Sequence, residues 1–255
     1  NRECLESDES NNVSHVPFTV DNSFYITYVD FRVYLEGQYK NGLLETGFQD
    51  QGIFPLLHPY RSEPYDYKSV ECVDADDLPA YVVDWVVIEA RQGIPLDQDG
   101  AGTEMIERRA AFITSNGAIV DIDGVSPVAF YDLVQGEDYY FAVRHKTHLD
   151  IMTKSPITVN SSISYDFTED VEQAYGTDKQ KVLPDGTVVM YGGDYDGSGQ
   201  INNLDFNLWT LQSALIGEYV TWDGDGNGVV NNVDFNFWQQ NRSKIGLEEL
   251  YLLPE

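Results

Sequence analysis

Positive charge is scarce in this sequence. Its 255 residues carry 15 Lys and Arg against 43 Asp and Glu, a net charge of −28. So acidic a chain repels phosphate backbones and anionic lipid headgroups, so no nucleic acid or anionic membrane surface is expected as a partner. No apolar run reaches the roughly 18 residues that a membrane-spanning helix needs, and no membrane span is expected. The sequence contains no HExxH, no GxSxG, no phosphate-binding P-loop and no dinucleotide fingerprint. The chain is therefore read as a non-enzyme. It has two cysteines, Cys4 and Cys72. They read either as a disulfide, which suits an oxidising exterior, or as two free thiols; the Cys4–Cys72 disulfide is the expectation. The chain opens Asn1-Arg2-Glu3-Cys4 without an initiator Met, which reads as a mature or trimmed N-terminus.

Aromatic residues are plentiful: 17 Tyr, 12 Phe and 4 Trp stand among β-branched runs and predict a β-rich protein. A chain this long can bury a sizeable core and hold more than one domain. Residues 1–20 form a polar N-terminal arm ending in Val16, Phe18 and Val20, which alternate in strand phase. A longer alternation runs from Phe24 to Leu35. Further strands are predicted over 81–91, 108–114, 117–121, 139–145 and 163–167, separated by Gly, Asp and Pro turns. Short strands at this spacing predict an antiparallel β-sandwich over 21–167. Residues 168–190 are mixed and polar and read as a linker. Residues 242–255 form a tail whose Leu247, Leu250, Tyr251, Leu252 and Leu253 would seek cover.

The most informative stretch occurs twice. Residues 194–209 begin Asp-Tyr-Asp-Gly-Ser-Gly, and residues 223–238 begin Asp-Gly-Asp-Gly-Asn-Gly. Both are twelve-position loops with oxygen-bearing side chains at positions 1, 3, 5, 9 and 12 and Gly at position 6, Gly199 and Gly228. Calcium is a hard cation that takes roughly 6–8 oxygen ligands in a flexible shell, and this spacing supplies them. The first set is Asp194, Asp196, Ser198, the Gln200 carbonyl, Asn202 through a water, and Asp205. The second is Asp223, Asp225, Asn227, the Val229 carbonyl, Asn231 and Asp234. Two Ca²⁺ ions are the expected cofactors. Ile201 and Val230, at position 8, are expected to pair between the loops as a short β-bridge. Each loop then opens a helix, with Phe206 and Trp209 or Phe235 and Trp238 on its inner face.

Paired loops of this kind, ending in Asp rather than Glu and each followed by one helix, resemble a dockerin module over about 191–241. That resemblance implies a secreted bacterial calcium module of the class that binds cohesins. Cellulosomal dockerins often carry a Ser/Thr pair at loop positions 10 and 11. Here those positions are Asn203-Leu204 and Asn232-Val233, so the resemblance implies calcium more than a cohesin. A wider resemblance, over about 31–241, is to a module near the C-termini of large secreted proteins of Bacteroidetes-like bacteria. It rests on residues 32–39, 52–60, 84–89, 108–113, 121–124, 145–152 and 165–168, and it implies location and architecture rather than activity.

Other candidates are weaker. Asp97-Gln98-Asp99-Gly100 starts like a calcium loop, but Ala101, Met105 and Arg108 fill positions that need oxygen, so a hairpin turn is read there. His145 and His148 could ligate a metal but lack a third ligand at a supporting spacing, and they read as hydrogen-bonding residues at a strand end. Asp121/Asp123 and Asp76/Asp77 could imitate glycosidase carboxylates, but with 43 acids such pairs are expected by chance. Trp85 could stack on a sugar, but it sits within Val-Asp-Trp-Val-Val-Ile and reads as core. The resulting expectation is a mainly β, extracellular or cell-surface structural protein that assembles with copies of itself. The alternative is a dockerin-type or carbohydrate-binding module that tethers to a cohesin, another surface protein or a glycan.

Overall fold

The computed structural model describes residues 26–98 and 102–251. The predicted arm with Val16, Phe18 and Val20, Cys4, the start of the first strand at Phe24, Asp99–Ala101, and Leu252 and Leu253 lie outside the described residues. The strands are β1 (Thr27–Arg32), β2 (Tyr39–Lys40), β3 (Leu43–Leu44), β4 (Val82–Ile94), β5 (Gly102–Thr114), β6 (Ala118–Val120), β7 (Val128–Phe130), β8 (Asp138–His145), β9 (His148–Met152), β10 (Ile157–Thr158), β11 (Ser162–Asp166), β12 (Gln180–Val182) and β13 (Val188–Met190). The α-helices are α1 (Gly47–Asp50), α2 (Asn203–Gln212) and α3 (Asn232–Asn241).

β1 alternates buried and exposed along its length, with Val29 and Phe31 inward, as a half-buried strand must. Nine strands join one sheet in the order β10-β8-β4-β5-β6-β1-β11, with β7 also on β1 and β9 also on β8. Phe31 of β1 and Phe141 of β8 meet edge to face with ring centroids 5.4 Å apart. Three strands stand between them in the hydrogen-bonded order. The sheet therefore curls over itself into two layers, and Val86, Ile88, Ile113, Phe130, Val143 and Ile151 fill the space between. The fold is mainly β with a large sheet whose pairings are antiparallel, apart from one correction. β1 and β11 pair in parallel, Val29 against Ile163 and Phe31 against Tyr165. Parallel neighbours need a long crossover, and here almost the whole sandwich supplies it.

β4 is buried on both faces. Its second face, with Trp85 and Val87, packs against Phe48, Phe54, Tyr60 and Val73. Trp85 is wholly buried, donates its indole N–H to the Pro55 carbonyl at 2.8 Å, and receives the Tyr60 hydroxyl on its own carbonyl at 2.6 Å. The Gly-, Pro- and Tyr-rich stretch after β3 is thus a lid on the sheet.

Two segments differ from their sequence reading. Residues 168–190 are not a free linker: they hold the β12–β13 hairpin, and Ala174 and Met190 are fully buried in the main core. Their polar residues are used internally, as when Gln180 donates to the Phe167 carbonyl at 3.0 Å. In the tail, Leu247 and Leu250 pack against Tyr140, Ala142, Met152 and Tyr175 of the same chain, so that part needs no neighbouring molecule to cover it.

Candidate metal centre and its seat on the sandwich

Each acidic loop closes on its own carboxylates. Asp194 accepts the amide N–H groups of Ser198 at 3.1 Å and Gly199 at 2.9 Å. Asp205 accepts those of Tyr195 at 2.6 Å, Asp196 at 3.1 Å and Asn202 at 2.8 Å. The second loop repeats the pattern: Asp223 accepts from Asn227 and Gly228 at 3.2 and 2.7 Å. Asp234 accepts from Gly224, Asp225 and Asn231 at 2.8, 3.3 and 2.7 Å. Gly199 and Gly228 both have φ +79°, a left-handed turn that other residues resist, and this folds each loop back on itself.

The result is two carboxylate triads, Asp194/Asp196/Asp205 and Asp223/Asp225/Asp234, each with one oxygen per residue within 4.8 Å of the others. The Ser198 hydroxyl and the Gln200 carbonyl, positions 5 and 7, lie 3.5 Å apart beside the first triad. Asn202 and Asn231, expected as a water-mediated and a direct ligand, serve as helix N-caps. Their side-chain oxygens accept from Leu204 and Val233, each at 2.7 Å, and Asp205 and Asp234 complete capping boxes. Asn227 accepts the Val229 amide at 2.8 Å, and the Val229 carbonyl receives the Asn231 amide group at 3.0 Å.

Electrostatics separate these loops from ordinary turns. Burial, reinforced by Asp205, Asp150 and Asp196, raises Asp194 well above the carboxylate range. Burial also pushes Asp205 and Asp234 up to about 6, and burial with Asp234 and Asp223 pushes Asp225 to about 7. Asp223 is raised by burial too, although the Lys146 charge opposes it. Among the described residues no ion pair reaches either triad. Crowded, largely buried carboxylates, beside hydroxyl and carbonyl oxygens, are a donor set that suits a hard divalent cation such as Ca²⁺.

The loops are coupled crosswise. Ile201 and Val230 are both buried, but they do not bridge each other. Gln200 instead bridges Ile245, beyond α3, and Val229 bridges Ile216, beyond α2. Each loop is thus paired with the chain that leaves the other loop's helix. The indoles follow the same rule: Trp209 donates to the Asn231 carbonyl at 3.0 Å and Trp238 to the Asn202 carbonyl at 2.5 Å. Phe206, Trp209, Phe235 and Trp238 pack together between the helices.

The helix pair is seated on the sandwich through polar groups that the sequence did not single out. Glu36 accepts the Gly192 amide at 3.0 Å and the Asn241 side chain at 2.5 Å, and it pairs with Lys181. Asp84 accepts the Tyr219 hydroxyl at 2.6 Å and faces His145 at 3.2 Å and Lys146 at 3.5 Å. Arg144 holds Asp150 at 2.7 Å and Glu89 at 3.0 Å, with its guanidinium over the Tyr65 and Tyr251 rings. The one available signal was charge at inward positions of otherwise apolar strands, Asp84 and Glu89 in β4 and Arg144 in β8. His145 and His148 face each other at 2.9 Å with their side chains buried, and burial lowers both below the ordinary histidine range. They serve hydrogen bonding here, to each other and, for His145, to Asp84. Asp121 and Asp123 accept backbone amides of their own turn and of Ala129. Asp97 accepts the Tyr175 hydroxyl at 2.5 Å. Asp76 and Asp77 lie in an exposed turn. Cys72 bridges Leu57, while the expected pairing with Cys4 falls outside the described residues.

No family model and no curated protein matches the chain. Among solved structures, it is similar to a chain of a C-terminal interface mutant of the type II cohesin–X-dockerin complex from Acetivibrio cellulolyticus, at 12% identity over 86% of this chain and 97% of that one, with a TM-score of 0.43. It is also similar to a chain of an N-terminal interface mutant of the same complex, at 12% identity over 87% and 97%, with a TM-score of 0.39.

Proposed function

We propose that this chain is a non-catalytic, extracellular β-sandwich protein that tethers to a protein partner, with two Ca²⁺ ions holding its helix pair in shape. The observation that carries this reading is the twofold repetition of a largely buried three-carboxylate cluster. The sequence resemblance of residues 191–241 to dockerin modules supports the same reading. Each ion would sit among the position 1, 3, 5, 7 and 12 oxygens of its loop and neutralise the triad. Both loops press on the sandwich, so the ions would fix the docked surface as well as the loops. Among the described residues no helix is long and apolar enough to cross a membrane.

Tethering fits better than self-assembly because the tail residues Leu247 and Leu250 are already covered by their own chain. Solvent-facing Leu204 and Leu211 lie two turns apart on one face of α2, 59% and 76% exposed, and offer apolar contact to a partner. The test is isothermal titration calorimetry of the chelator-treated full chain with Ca²⁺, followed by light scattering in millimolar Ca²⁺. Two sites and a monomer support the reading. No calcium uptake rejects the metal centre, and calcium-dependent polymers reject tethering in favour of self-assembly.

A further inference from the structure

One cluster in the seat of the helix pair holds a nucleophile against an electrophile. Lys181 of β12 meets the side-chain carboxamide of Asn241, the last residue of α3, with its Nζ 2.9 Å from Oδ1. Glu36, beyond β1, spans the two. Its Oε1 accepts from Lys181 Nζ, and its Oε2 accepts from Asn241 Nδ2 at 2.5 Å. The Gly192 carbonyl receives the same Nδ2 at 2.8 Å, and the Gly192 amide donates to Glu36 Oε2 at 3.0 Å. Asn241 is 1% exposed, and the side chains of Lys181 and Glu36 are 20% and 4% exposed.

A plain ion pair would need only Lys181 and Glu36. Here a carboxamide joins them, with its oxygen on the amine and its nitrogen on the carboxylate. These are the parts of an amide exchange. Holding them in one geometry removes much of the barrier that such an exchange meets in water. Lys181 gives a proton to Glu36 Oε1, and its freed lone pair attacks Asn241 Cγ, the atom bonded to Oδ1. The carbon becomes tetrahedral. Glu36 touches both nitrogens through different oxygens, so it serves as base to one and acid to the other. Two protons pass in all from Nζ to Nδ2. The Nζ–Cγ bond forms, the Cγ–Nδ2 bond breaks, and Nδ2 leaves as ammonium. Glu36 ends as the carboxylate it began, and no oxidant, metal or water is consumed.

We propose that Lys181 and Asn241 form an intramolecular isopeptide bond, with Glu36 as the catalytic residue that carries the protons. The bond closes residues 181–241 into a covalent ring that contains both acidic loops. It fastens α3 to the β12–β13 hairpin, and so fastens the helix pair to the sandwich. It needs neither calcium nor a partner, and it stands apart from the tethering reading.

The test is the intact mass of the full chain, reduced and denatured, followed by peptide mapping. The chain is expected to be lighter than its sequence by one ammonia and to yield a branched peptide joining Lys181 to Asn241. Lys181→Arg keeps a cation on Glu36, but its guanidinium stays protonated and cannot attack, so this variant should show its full sequence mass. Glu36→Gln keeps the shape and removes the proton carrier, and most of its chains should remain unlinked. A wild-type chain at full sequence mass, with Lys181 and Asn241 recovered in separate peptides, would overturn the proposal, and that result needs no variant to fold. Loss of ammonia mapped to another residue would overturn it equally. A branched peptide as abundant in Glu36→Gln as in the wild type would remove Glu36 from the chemistry.

Discussion

Gly37 and Gly224 meet backbone to backbone: a Cβ built on Gly37 would lie 1.8 Å from the Gly224 carbonyl oxygen. Gly47 makes the same approach to the Gly226 carbonyl, at 2.3 Å. Gly37, ahead of the lid, and Gly47, within it, therefore receive the second acidic loop directly. A methyl group has no room unless the loop lifts. Gly37→Ala should cost about 1–3 kcal/mol, the usual range for overpacking. Thermal melting in calcium would show it as a lowered midpoint, with Gly47→Ala behaving alike; a wild-type midpoint in both would refute direct seating.

The metal reading fixes a stoichiometry. Asp194→Asn and Asp223→Asn should each leave one calcium site of two in a calorimetric titration. Chelation should destabilise the wild type by about 2.7 kcal/mol per site when free Ca²⁺ had stood at a hundred times its dissociation constant. An identical melt with and without chelator would show that the loops fold without the ion.

The calcium-free protein should respond to pH in the sense opposite to ordinary acid denaturation. Asp205 and Asp234 are raised to about 6 and Asp225 to about 7, so the folded state binds protons that the unfolded chain releases near 4. Stability then falls as pH rises from about 4 through 7. Calcium must displace those protons, so its affinity should rise over the same interval. Chelated melts at pH 5 and pH 7.5 provide the check. Greater stability at pH 7.5 would mean the triads are not the dominant titrating groups.

Crosswise coupling makes one substitution act at the other loop. Trp238, on the helix that follows the second loop, donates to Asn202 in the first. Trp238→Phe should remove about 0.5–1.5 kcal/mol and weaken the first site more than the second. Measuring it in the Asp223→Asn background isolates the first site. Equal weakening in the Asp194→Asn background would contradict the crossed arrangement.

The buried ions of the sandwich should be unforgiving. Arg144 serves both Glu89 and Asp150, and burial pushes Asp150 up to about 6 even with the guanidinium beside it. Arg144→Met leaves buried Asp150 without its cation and Glu89 with Arg91 alone, and should cost about 3–5 kcal/mol. A urea titration at pH 7.5 measures it, and a loss below 1 kcal/mol would mean water reaches the pair.

Local chemistry determined what could be read from the sequence. β1 and β8 announce themselves by alternation, and the acidic loops by ligand-type residues at fixed offsets, since a twelve-position loop is built from its own chain. The capping boxes were implicit in the same residues, Asn202 with Asp205 and Asn231 with Asp234. Only the tertiary structure decided the rest. Residues 168–190 look like a linker because half of the hairpin is polar, and Met190 finds the core only once β1 is present. Nothing in the sequence says that Ile201 and Val230 refuse each other, because bridging partners are chosen by where the opposite helix ends. Asp84, His145, Lys146 and Tyr219 are scattered along the chain, and folding alone brings them together. Sequence pattern specifies what neighbours along the chain do, while burial, which shifts the carboxylates, belongs to the packed whole.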